Sequence, residues 1–266
     1  LAERNPIRRA FVFGDTQIPF HDKRLLNLIF GFARNVLKPD TLVHVGDLLD
    51  AKSFGGFERK NQVENFIDCV DTNYKIANEH LSKLTAINPD AQKELLEGNH
   101  DYRIYKHIQK YPRLKGMLDI EKNLHLKDRG FRFWLWKKPR ESMGKYRRGT
   151  LAPLRLGKLR VYHGLRFNQY HAQYNIAENS HSVLYGHVHD FQMASGRRHD
   201  SRDRHVAYCI GHCCDESQMD WRHGKASNWI HGFAVVEWSE KTGAFTVHPI
   251  PVTNYQFIWN GVLYKG

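Results

Sequence analysis

Five short polar motifs hold the residues of this chain best suited to chemistry. They are Asp15-x-Gln17, Gly46-Asp47-Leu-Leu-Asp50, Gly98-Asn99-His100-Asp101, Tyr162-His163-Gly164 and Gly186-His187-Val-His189. Carboxylate, amide and imidazole donors suit Mn, Fe, Zn or Mg, and no Lys stands among them. His100 adds a side chain that carries a proton near neutral pH. Singly, each motif has an ordinary explanation: Gly-Asn is a common turn and His-Asp a common surface pair. Five in succession, each at the end of an apolar run, point to a metal site.

The apolar runs set where these groups sit. Residues 9–14, 41–45 and the run ending at Leu95-Leu96 read as strands. Residues 22–37 place Leu25, Leu28, Ile29, Phe32 and Val36 at helical spacing, with Asp22 as N-cap, and residues 61–87 form a longer amphipathic helix. Pro39 and Pro89 stop these helices, and residues 54–59 read as a loop. Strands alternating with helices predict a parallel sheet, whose carboxyl edge is where open α/β sheets bind ligands. Residues 102–118 read as one or two short helices broken at Pro112.

Beyond Leu126 the pattern turns to strands. Residues 131–136 have strand composition, and a hairpin is expected around Gly157-Lys158. A helix over 170–179 and a strand over 182–185 follow, with further strands over 206–210, 233–238 and 244–248. With no linker in sight, a single domain over residues 1–266 is expected, with a basic aromatic arm at about 131–160.

In their order and spelling the motifs resemble those of the calcineurin-like metallophosphoesterases: DxH, GDxxD, GNH followed by Asp or Glu, a His before Gly, and GHxH. Four of the five stand here as written, over a stretch from about Phe11 to His189. The first motif, Asp15-Thr-Gln-Ile-Pro-Phe-His-Asp22, and the later Gly232-Phe-Ala-Val-Val-Glu237 are similar to a phage- and bacterium-encoded subgroup. The resemblance implies a four-layer αββα sandwich and two divalent ions, with Mn the leading metal and Fe, Zn or Mg the alternatives. Asp15, Gln17, Asp47 and His189 would hold the first ion, and Asp47, Asn99, His163 and His187 the second. It implies in-line attack by a metal-bridging hydroxide, with His100 protonating or stabilising the leaving oxygen. Asp101 is expected either to orient His100 or to cap a helix, and Asp50 to support the site from behind the ligands or to serve the turn, rather than to ligate. Gln17 departs from the usual His. Its neutral oxygen is a weaker donor, so a weaker first site shifted toward Mn or Mg is expected; His21 replaces it only if the loop folds back.

Charge bears on the substrate. The chain carries a formal net charge of +12, and residues 137–160 hold nine Lys or Arg against one Glu. Trp134, Trp136, Lys137, Lys138, Tyr146, Arg147 and Arg148 mix stacking faces with cations, as single-stranded nucleic-acid binders do. Arg103 is expected to reach a phosphate, and His171 to line the pocket or cap a helix. The expectation is a phosphodiesterase, nuclease-like, acting in the cytoplasm without a membrane segment. Its alternatives are a phosphomonoesterase and a non-catalytic binding module. Cys209, His212, Cys213 and Cys214 raise a structural zinc site, but without spaced Cys pairs they read better as buried thiols beside a site.

Overall fold

The computed structural model describes residues 6–54, 66–135, 153–197, 203–219 and 227–266. In chain order these form β1 (Ile7–Phe13), α1 (Lys23–Phe32), β2 (Thr41–His44), α2 (Phe66–Thr85), β3 (Gln92–Leu96) and α3 (Asp101–Lys110). Next come α4 (Lys115–Leu118), α5 (Ile120–Asn123), β4 (Phe131–Trp134), β5 (Leu154–Leu156), β6 (Leu159–Val161), α6 (His171–Glu178) and β7 (Val183–Tyr185). The last part is all strand: β8 (Phe191–Gly196), β9 (His205–Ile210), β10 (His231–Ser239), β11 (Phe245–Val252), β12 (Gln256–Trp259) and β13 (Val262–Lys265).

The strands build a six-stranded sheet in the order β11-β10-β1-β2-β3-β4, a five-stranded sheet in the order β5-β6-β7-β9-β8, and the hairpin β12-β13. Strands β1 to β4 run parallel, and β10 closes on β1 antiparallel. In the second sheet β6, β7 and β9 are parallel.

Alternation along β1 shows why its sequence is apolar throughout. Phe11 and Phe13 point to a core shared with Leu25 and Ile29 of α1 and Ala77, Leu81 and Leu84 of α2. Ala10 and Val12 point the other way, into a second core with Val161, Val183, Tyr185 and Ala207 of the second sheet. A strand covered on both faces needs a continuous apolar run. Ala172 and Ile176 of α6 close the far side of the second sheet. The layers are helix, sheet, sheet and helix, the αββα sandwich that the motifs implied.

Local expectations fare well. Asp22 caps α1, its Oδ1 accepting from the Leu25 N–H at 2.9 Å. Pro112 opens a 3-10 turn between α3 and α4. The hairpin between β5 and β6 turns at Gly157, whose φ is +61°. Strand β8 and the β12-β13 hairpin were not expected. Most of the basic arm, residues 136–152, lies outside the described residues.

Candidate metal centre

Parallel pairing brings the motifs to one edge. Asp15, Asp47 and Asn99 follow the carboxyl ends of β1, β2 and β3, while His163 and His187 follow β6 and β7 in the other sheet. The backbone there is unusual. Asp15, Gln17, Asp47, His187 and His189 all have φ between 50° and 74°. That left-handed region is uncommon outside glycine, and runs of it cluster at functional sites where the surroundings hold the strain.

Asp47 lies at the centre. Its Oδ1 accepts the His100 backbone N–H at 2.8 Å, and its Oδ2 accepts from Gln17 Nε2 at 3.0 Å and lies 3.3 Å from His163 Nε2. Burial raises its carboxyl pKa, but the imidazoles of His163, His100 and His187 outweigh this and hold it well below the usual range. Donor atoms of Asp47, His163 and His187 lie within 4.8 Å of one another. Asn99 joins them, its Oδ1 2.9 Å from His163 Nε2. His163 gives Nδ1 to the Val45 carbonyl at 3.0 Å, which leaves Nε2 as the face for a ligand. Burial opposes its protonation, yet Asp47 pushes His163 up to about 9. Burial and the neighbouring His163 bring His187 down to about 4.

The carboxylate of Asp15 accepts the His187 N–H at 3.0 and 3.1 Å, and its Oδ1 lies 3.3 Å from His189 Nε2. Gln17 completes this group. Its Nε2 is spent on Asp47, while its Oε1 is buried without a hydrogen-bond partner among the described residues. Buried polar atoms normally find partners, so an orphaned carbonyl oxygen on an amide that touches the buried Asp47 carboxylate fits a cation. The donor set and this vacant oxygen both suit a pair of divalent ions. His21 stands apart from the group, its ring 6.1 Å from His80.

The catalytic pair needs one correction. Asp101 does not orient His100. Its carboxylate is taken by the backbone N–H groups of Leu49 at 2.9 Å, Gly98 at 3.0 Å and Leu48 at 3.2 Å, so it ties two motif loops together. Burial, with Asp47 nearby, pushes it up to about 6. Asp50 takes the orienting role: His100 Nδ1 lies 2.8 Å from its carbonyl and 3.2 Å from its carboxylate. Burial lowers the His100 pKa, but Asp47 and Asp50 prevail and raise it. Arg103 sits alongside, Nη2 3.1 Å from His100 Nε2.

His171 is not a pocket residue. It is fully buried, with both ring nitrogens engaged by Tyr185 and Asp190. The four residues raised as a zinc site do not gather as one: His212 and Cys214 stand with His189, their donor atoms within 4.8 Å of one another, while Cys209 and Cys213 lie apart from them. Cys213 points to the Gly232 carbonyl and Cys209 to that of Gly186, while Cys214 lies 3.1 Å from His212 Nδ1 and 4.0 Å from His189 Nδ1. All three are buried thiols, two of them close to ligand residues.

Comparison with known proteins agrees with this geometry. The model of the calcineurin-like phosphoesterase family matches residues 8–226. The Gene 54 protein of Mycobacterium phage D29 is 34% identical over 105 residues, covering 39% of this chain and 40% of the phage protein. The Gene 54 protein of Mycobacterium phage L5 is 29% identical over 104 residues, with the same shares. Each match spans about two fifths of the relative's length. With the family model covering most of the length and its motifs gathered at one edge, the chain belongs to the calcineurin-like phosphoesterases, a group of metal-dependent phosphoric ester hydrolases.

Proposed function

We propose that this chain is a phosphodiesterase acting on nucleic acid, with Asp47 in the middle of a site that would hold two Mn ions. The carrying observation is the position of Asp47, one buried carboxylate whose Oδ2 meets both Gln17 Nε2 at 3.0 Å and His163 Nε2 at 3.3 Å. Asp15, Gln17, Asp47 and His189 would hold one ion, and Asp47, Asn99, His163 and His187 the other. The chemistry that a pair of divalent ions supplies in such a site is an activated water and a clamp on the phosphate oxygens. His100, held by Asp50 and raised in pKa, delivers a proton at the leaving oxygen, and Arg103 offers its guanidinium to a phosphate oxygen.

The net charge of +12 and the cationic stretch from 137 to 160 support a polyanionic substrate. A single domain in the cytoplasm accords with this reading. Among the described residues no helix is long and apolar enough to cross a membrane.

Hydrolysis of bis-p-nitrophenyl phosphate, p-nitrophenyl phosphate and single-stranded DNA with Mn tests the proposal, with Asp47→Ala and His100→Ala as controls. Turnover of the diester and DNA, lost in both variants, is expected. Turnover of the monoester alone would make the enzyme a phosphomonoesterase, and inactivity on all three would make it a binding module.

A further inference from the structure

We propose that α6 is the positioning element of the metal centre, with His171 as its clasp and Asn175 as its second hold. The inference rests on the ligand assignment above. Neither side chain is placed to meet an ion or a substrate: His171 is fully buried and Asn175 is 3% exposed.

His171 spans the ends of one turn. Its Nδ1 lies 2.7 Å from the Tyr185 hydroxyl, and its Nε2 lies 2.9 and 3.0 Å from the Asp190 carboxylate oxygens. Tyr185 stands just before Gly186-His187, and Asp190 just after His189. One imidazole therefore pins both ends of the segment that carries two ligand histidines. A carboxylate only accepts, so Nε2 donates to Asp190 and Nδ1 accepts from the Tyr185 hydroxyl. Cys209 adds a contact inside the span, its thiol 3.6 Å from the Gly186 carbonyl.

The turn needs such restraint. His187 has φ of 74° and His189 of 68°, and non-glycine residues stay in that region only when their surroundings over-determine them. Without the clasp, both residues can relax toward ordinary backbone angles, and their nitrogens leave the edge.

Asn175 lies one helical turn beyond His171, on the same face. Its Oδ1 accepts from the Tyr162 hydroxyl, and its Nδ2 donates to the His171 carbonyl at 2.9 Å. Tyr162 immediately precedes His163. The neighbours of all three histidine ligands thus meet at one face of one helix. Apolar Ala172 and Ile176 already pack α6 onto the sheet. A buried polar network adds little to stability over an apolar core, but it fixes one arrangement.

Calorimetric titration of metal-stripped protein with Mn tests this, alongside thermal unfolding of the same samples. His171→Ala is expected to weaken Mn binding about 10–100-fold, the range seen when supports of metal ligands are removed. His171→Gln, which keeps an amide donor toward Asp190, should recover part of the loss, and Asn175→Ala should weaken binding while His187 and His189 stay in place. Ile176→Ala is the control: it should lower the melting temperature yet leave Mn affinity unchanged. Wild-type affinity in folded His171→Gln and Asn175→Ala would overturn the inference, as would an equal loss in Ile176→Ala. A third ion, absent in His171→Gln, would instead make His171, Asp190 and Cys209 a metal site, since their donors lie within 4.8 Å. Failure of the wild type to bind Mn would overturn the ligand assignment itself, a separate result.

Discussion

Gly98 and Asp47 meet where there is no room for a side chain: a Cβ on Gly98 would lie 2.0 Å from Oδ1 of Asp47. Gly186 stands in the same relation to Oδ2 of Asp15. These glycines let the backbone close over two buried carboxylates. Gly98→Ala should cost about 1–3 kcal/mol as overpacking, and displacing the bridging carboxylate should weaken Mn binding by at least about 100-fold. Gly31→Ala, where nothing lies within 4 Å of the added carbon, should leave binding intact. Calorimetry on the two variants decides between a metal defect and a general one.

Gln17 offers an oxygen where the family commonly has an imidazole. Because Oε1 is buried and unpartnered, direct ligation is expected. Gln17→His should tighten the first site about tenfold, close to 1.4 kcal/mol, and move its preference from Mn toward Zn. Competitive titration with the two metals measures this; equal first-site affinity in both proteins would sink the idea.

His100 and Asp101 are adjacent but should fail differently. Losing a general acid typically costs about 10²–10⁴-fold in rate, so His100→Ala should slow DNA cleavage far more than cleavage of p-nitrophenyl esters, whose leaving group needs little protonation. Asp101→Asn sets an amide N–H against backbone donors and should cost about 1–3 kcal/mol of stability. A shifted pH–rate profile at unchanged melting temperature would return Asp101 to the proton-transfer machinery.

The ion held by His163 must displace its proton. In the metal-free protein His163 is protonated below about 9, so affinity should rise with pH up to that value and level off above it. The slope should approach tenfold per pH unit for one proton released. Titrations at pH 7 in buffers of different ionisation enthalpy should report close to one proton expelled per ion at this site.

The candidate ligands were legible because Asp15, Asp47, Asn99, His163 and His187 each end an apolar run, and strand ends in parallel sheets share an edge. Gly98 and Gly186 were readable as turn residues, but not as clearance for a carboxylate, which depends on a contact between strands. Asp101 could not be separated from Asp50 by spacing. Both lie near His100, and only the path of the 47–50 loop decides which one faces it. His171 was misread for a related reason. Its partners lie 14 and 19 residues along the chain, and their approach depends on how α6 lies across the second sheet. Gln17 stands out in the sequence as the departure from His, but its orphaned oxygen is a property of packing.

The two sheets share the ligand sets. Asp47 and Asn99 come from one sheet and His163 and His187 from the other; Asp15 and His189 divide in the same way. With ions bound as proposed, the protein would be a chelator whose arms are its own sheets. An ion here works as a rivet, and any slip of one sheet against the other is a loss of coordination. Its melting temperature should therefore climb with free metal, by mass action.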